Sequence, residues 1–125
     1  MASYPSRETR NQIIDRYLTA ADAEEFERYR DIFAQDVQFV SMGYTADDVE
    51  GMIDWFENSL VMTNLYHDYD NRLHDGAFSI AHGEFGGDLP NDDALSGRGL
   101  ILCEFDEEET EITRMIVFTS LQPHI

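Results

Sequence analysis

The sequence predicts an α+β domain in which a curved, mainly antiparallel sheet wraps around three N-terminal helices. Two observations carry this expectation. Apolar residues recur at helical spacing through most of the first half, and from Leu65 onward the period changes to two. The length, 125 residues, fits one domain spanning residues 1–125. A chain of this size buries about two-thirds of its unfolded surface, which is enough for a core without covalent staples.

Ile13, Ile14, Tyr17, Leu18 and Ala21 form the apolar stripe of a first helix that begins near Ser3 to Ser6. Asp22 with Glu25 three residues on has the form of a capping box, which starts a second helix burying Phe26, Tyr29 and Phe33. Val37 to Met42 is β-branched and aromatic, a short strand closed by Gly43. Thr45 and Asp48 give another cap signal, and Val49, Met52, Ile53, Phe56 and Leu60 mark one face of a third helix.

Beyond it, alternation places Leu65, His67, Tyr69, Asn71 and Leu73 on one strand face, and Tyr66, Asp68, Asp70 and Arg72 on the other. Asp75-Gly76 is a hairpin turn, and Ala77 to Phe85 returns. Gly86 to Gly97 reads as a polar loop. Arg98 to Phe105 and Ile112 to Leu121 then pair around the acidic tip Asp106 to Glu111. A strongly curved sheet of this kind leaves room for a conical pocket between itself and the helices.

Charge narrows the partners. Eight basic against 26 acidic residues give −18, and every basic residue is arginine. Nucleic acid and anionic membranes need a basic footprint, so neither is expected. The acids are spread along the whole chain, which favours adaptation to high salt; an acidic face for a basic partner is the other reading. Cys103 is alone and can form no internal disulfide, and the first residues hold no apolar stretch of signal-peptide length. A cytoplasmic protein is the expectation.

Three segments carry a resemblance: Ile14 to Asp22, Ile32 to Phe39 and Phe56 to Leu60. On them the chain resembles the nuclear transport factor 2-like superfamily, which includes SnoaL-like polyketide cyclases, ketosteroid isomerases, scytalone dehydratases and hexachlorocyclohexane dehydrochlorinases. The resemblance implies a SnoaL-like, cystatin-like α+β cone. Tyr17 falls where the ketosteroid isomerases place an oxyanion-hole tyrosine, but their carboxylate base corresponds to Ser41 and their protonated aspartate to Ile101. The dehydratase and dehydrochlorinase pattern fits better: a histidine projecting into the cone and an aspartate between the first two helices match His67 and Asp22. His82 corresponds to a second dehydratase histidine, whereas the substrate-holding tyrosines are replaced by Ala21 and Ser41.

The resemblance therefore implies a small-molecule-binding domain, a cofactor-free lyase, isomerase or cyclase in which His67 moves a proton and Asp22 orients it. The substrate would be hydrophobic or cyclic. Tyr17, His82, Trp55 and Asn71 complete the expected ligand pocket. Other readings stay open. A histidine on an apolar face is often a satisfied core residue, an aspartate before a helix is often only a cap, and the same fold serves as a non-catalytic binding or dimerisation module.

No metal is expected. The spacing of His67, His74 and His82 matches no zinc site, and Leu73 stands where a calcium loop beginning at Asp68 requires glycine. The outer sheet face, expected to carry Tyr66, Met115 and Val117 or their neighbours, suggests a homodimer.

Overall fold

In a computed structural model, which describes residues 6–108 and 110–121, helix α1 (Arg7–Asp22) begins at Ser6. The Ser6 hydroxyl accepts from the Thr9 backbone N–H at 3.2 Å, so it satisfies one of the free donors of the first turn. The alternative start at Ser3 lies outside the described residues. α1 ends in a reversal built on Glu24, whose φ is 57°. The Glu24 N–H donates to the Ala21 carbonyl and the Glu25 N–H to the Ala20 carbonyl, at 3.1 and 2.9 Å.

That reversal overturns the expected capping box. Asp22 remains the last residue of α1 and caps nothing after it, while Glu25 offers no side-chain cap. The second helix is a 3₁₀ helix, Phe26–Asp31. Its apolar residues Phe26, Tyr29 and Ile32 are spaced by three, which suits three residues per turn, and Phe33 opens strand β1 (Phe33–Ser41) instead.

Met42 and Gly43, both at positive φ, turn β1 back into β2 (Tyr44–Ala46), a strand the sequence did not announce. Thr45 lies within it. Asp48 itself caps helix α2 (Val49–Asn58), accepting the Gly51 N–H at 2.7 Å. Val49, Met52, Ile53 and Phe56 are buried along α2.

Strands β3 (Thr63–Asp75), β4 (Phe78–Asp88), β5 (Ala94–Phe105) and β6 (Ile112–Leu121) follow. Pairing extends β4 and β5 into the expected polar loop, leaving only residues 89–93 between them. The six strands run β2-β1-β6-β5-β4-β3, with β1 parallel to β6 and the other pairs antiparallel.

One irregularity reorders a face. Between Asp68 and Asn71 the β3–β4 register shifts, and Gly83 on β4 makes the bulge possible, since a Cβ there would overlap the Asp68 carbonyl. Leu65, His67 and Tyr69 face inward as the alternation predicts, but past the bulge Arg72 and His74 take the helix side. Leu73 is left 62% exposed. Met115 and Val117 also depart from expectation: Met115 is fully buried and Val117 packs on the core. Tyr66 and Phe118 are exposed.

Beneath the helices, Tyr17, Phe26, Tyr29, Phe33, Phe39 and Phe56 form a continuous ring cluster with neighbouring centroids 5.1–6.4 Å apart. This cluster forms the floor of the cone. No helix among the described residues is long and apolar enough to cross a membrane.

Candidate functional site

Above that floor lies a cavity of about 60 Å³. α1 supplies Tyr17, α2 supplies Trp55 and Phe56, and β1 supplies Ser41; the sheet adds Leu65, His67, Tyr69, Phe85, Ile101, Val117 and Thr119. Met42, Leu60 and Met62 complete the lining. None of these residues is Asp, Glu, Lys or Arg, so apart from the imidazole the wall carries no group charged near neutral pH.

His67 is held from two directions. Its backbone N–H donates to Asp22 Oδ2 at 3.2 Å, and its ring Nδ1 stands 2.5 Å from Asp22 Oδ1. A carboxylate only accepts, so the facing ring nitrogen carries a proton, and in the neutral imidazole Nε2 is then the nitrogen with the free lone pair. The imidazole is mostly buried, with 15% of the side chain exposed against 32% for Asp22. Tyr69 meets the His67 ring edge to face, at 5.1 Å and 89°.

A carboxylate in the last turn of a helix opposes the helix dipole. Asp22 occupies that position as the final residue of α1, and both its oxygens are directed to one residue of β3.

Of the other expected pocket residues, Tyr17 and Trp55 line the cavity. Asn71 and His82 do not. The bulge turns Asn71 outward, where it is exposed and its amide donates to the His82 carbonyl at 3.4 Å. His82 alternates with the buried Ala81 and Gly83, so its ring lies on the outer sheet face, in a groove with Arg98, Leu100 and Phe118. One residue of slip in β3, and the opposite parity of β4, account for both.

Ser41, Tyr69 and Thr119 had been given no role. Ser41 is 1% exposed, and its hydroxyl has no hydrogen-bond partner among the described residues. Two titratable groups in the lining are shifted. Burial, then Cys103, Tyr69 and Asp22, push the Tyr17 phenol far above its ordinary range, while burial and then Asp22 push Tyr69 up to about 12. Both phenols therefore stay protonated at physiological pH.

A wider groove of 360 Å³ between α1 and the 3₁₀ helix differs in kind. Its walls include the charged Asp15, Arg16, Glu25, Arg28 and Asp31, of which Arg28 and Glu25 form a 2.5 Å ion pair. Among the described residues no three His, Cys, Asp or Glu side chains converge to hold a metal ion.

Solved structures share this architecture. A protein assigned as a SnoaL-like polyketide cyclase from Shewanella denitrificans superposes with a TM-score of 0.79 at 12% identity, over 91% of this chain and 92% of its own. A SnoaL-like polyketide cyclase from Agrobacterium tumefaciens gives 0.73 at 13% identity, over 89% and 91%. A protein with a ketosteroid isomerase-like fold from Catenulispora acidiphila, in complex with trimethylamine, gives 0.77 at 18% identity, over 86% and 85%. The chain has the nuclear transport factor 2-like fold.

No family model and no curated protein matches the sequence. Ser41 and Ile101, the positions that the resemblance set against the ketosteroid isomerase carboxylates, both line the cavity, and neither bears an acid.

Proposed function

We propose that the cavity binds a small, uncharged, hydrophobic or cyclic molecule and that His67 moves a proton on it without a cofactor, as in a lyase, isomerase or cyclase. The observation behind this reading is the Asp22–His67 pair, 2.5 Å between Oδ1 and Nδ1, set in a wall with no other group charged near neutral pH. Nε2 is the base. Asp22 fixes the tautomer and stabilises the imidazolium that forms, a pairing in which loss of the carboxylate charge disturbs both. Structures sharing the fold include polyketide cyclases and one protein with a small amine bound, which supports a small-molecule role.

The experiment is a screen of cyclic ketones, hydroxy-ketones and halogenated rings, followed by NMR for proton exchange or elimination. Generic base catalysis gives the scale: His67→Gln and Asp22→Asn should each lower turnover by about 10²–10⁴-fold while the fold survives. The double variant should be barely worse than either single one, because residues acting as a unit are not additive. Full activity in both variants would end the catalytic claim for these two residues, and a wild-type protein that turns over none of the compounds would leave a non-catalytic binding module.

The outer sheet face supports a homodimer. Leu73, Phe78 and Phe118 are exposed there beside the half-buried Ile80, Leu100, Leu102 and Ile116. Light scattering in high salt should give twice 14.4 kDa. The dispersed acidic charge supports a protein adapted to salt; a melting temperature that rises toward molar potassium chloride is expected, and a flat one would favour a basic partner.

A further inference from the structure

β5 is the middle strand of an apolar stripe on the outer sheet face. Val40, Ile116, Leu102, Ile80 and Leu73 are successive register partners across β1, β6, β5, β4 and β3. All five are half-buried or exposed on the side away from the helices. Along β5 itself that side carries Arg98, Leu100, Leu102 and Glu104, alternating with the buried Gly99, Ile101 and Cys103. Reversed end for end, this order keeps its apolar centre and exchanges its charges.

The two charged ends are poorly matched within one copy. Arg98 is exposed and forms neither a hydrogen bond nor an ion pair among the described residues. Its register neighbour Glu84 is occupied elsewhere, since Glu84 Oε1 accepts from the Tyr66 hydroxyl at 3.0 Å. A chain with 26 acidic and eight basic residues thus leaves a guanidinium unmatched at one edge of the stripe. At the other edge stands Glu104, 30% exposed, its carboxylate 3.7 Å from Arg114 Nε.

We propose that this face binds a second copy of the chain with β5 antiparallel to its symmetry mate, so that Arg98 meets the partner's Glu104 and Leu100 meets the partner's Leu102. The proposal rests on the reading of the outer face as a homodimer interface and fixes the register of that interface. A two-fold axis lying in the interface and perpendicular to β5 reverses one strand over the other about Ile101, and each copy then supplies one cation and one acid. An axis along β5 would instead stack Arg98 on Arg98 and Glu104 on Glu104, and like charges held together across an interface are costly. Aligned sheets cross at about 30°, and each charged residue lies about 10 Å along the strand from Ile101. The facing ends therefore separate sideways by about 5 Å, within the span of two long side chains. General repulsion between copies carrying −18 each opposes association, so two local attractions decide which orientation is tolerated.

Sedimentation equilibrium in about 0.5 M potassium chloride tests the register, because a Debye length of about 4 Å screens the general repulsion but not groups in contact. Arg98→Glu and Glu104→Arg should each weaken the dimer by about tenfold or more, since each sets like charges against one another at both ends. An equimolar mixture of the two variants should recover the wild-type affinity, and so should the double variant, because every facing pair is again unlike. Arg7→Glu, on α1, changes net charge as Arg98→Glu does and should leave the dimer intact. Circular dichroism checks that each variant is folded. If Glu104→Arg does not fold, adding Glu104→Gln to Arg98→Glu takes its place: it removes the repulsion and should recover part of the loss.

A dimeric wild-type protein whose single variants associate equally well would overturn the register and leave the homodimer standing. Loss that no second substitution repairs, or equal loss in Arg7→Glu, would overturn the register too. A wild-type protein that stays monomeric would remove the homodimer reading and this register with it.

Discussion

β3 carries two histidines on its helix-facing side, one on each flank of the bulge, and α1 meets both. At the open end the last residue of α1 gives His67 a carboxylate. At the other end the first turns of α1 give His74 an amide: its Nε2–H donates to Asn11 Oδ1 at 3.1 Å, and its Nδ1 accepts from the Ser79 hydroxyl at 2.7 Å. Arginines complete that second network. Arg10 donates to Ser79 Oγ and to the carbonyls of Phe78 and Gly76, while Arg72 spans Asn11 and Asp15. Burial, then Arg10, Arg7 and Arg72, hold His74 below its ordinary value. The neighbours therefore separate the two rings: one has a carboxylate beside Nδ1 and a cavity in front of it, and the other is a neutral tie between helix and sheet.

The largest expected effect comes from cutting the tie. Arg10 is 2% exposed, and Arg10→Met leaves two carbonyls and a serine without their donor, which should lower unfolding free energy by about 3 kcal/mol in urea titration. Turnover per folded molecule should not follow it. A parallel loss of activity in the folded fraction would mean that the two ends are coupled.

Asn11→Asp would make the second site resemble the first, with a carboxylate within hydrogen-bond reach of His74 Nε2. The His74 pKa should rise by about 1 unit or more in an NMR titration. If it stays low, burial and the arginines outweigh the new charge.

His74→Gln tests the same environment through stability. Because the folded value lies below 6.5, the unfolded chain takes up the proton first as pH falls. The neutral ring's contribution is complete above that value and declines below it. Wild-type melting temperature should therefore drop more between neutral pH and pH ~5 than that of His74→Gln. Identical slopes would remove His74 from the balance.

The smallest effect belongs to the reversal after Asp22. Glu24→Gly relieves a left-handed residue and should stabilise by about 0.5–1 kcal/mol without moving Asp22. A fall in stability would mean that the Glu24 side chain contributes more than its backbone costs.

Much of this arrangement was legible in the sequence. The stripe from Ile13 to Ala21, the face of α2 and the Asp75-Gly76 turn each follow from local periodicity and turn chemistry. His67 could be set inward because Leu65 and Tyr69 flank it at period two. The bulge was not legible, since its enabling residue, Gly83, acts across the sheet, and that slip turned Asn71 outward. Asp22 misled for a related reason. An acid three residues before a glutamate has the form of a cap, and only the left-handed Glu24 and the approach of β3 make it a partner for histidine. β1 joining β6 in parallel likewise rests on contacts far apart in the chain.

That parallel pair also orders events in time. Phe33 to Ser41 pair with Ile112 to Val117, so the strand carrying Ser41 has no neighbour on that side until nearly the whole chain has been made. Long-range closure of this kind slows folding, and until it occurs one edge of β1 stays unpaired and open to aggregation. Ser41, Val117 and Thr119 reach the cavity wall only when β6 docks. A ligand for this cavity would therefore recognise only chains that have finished folding.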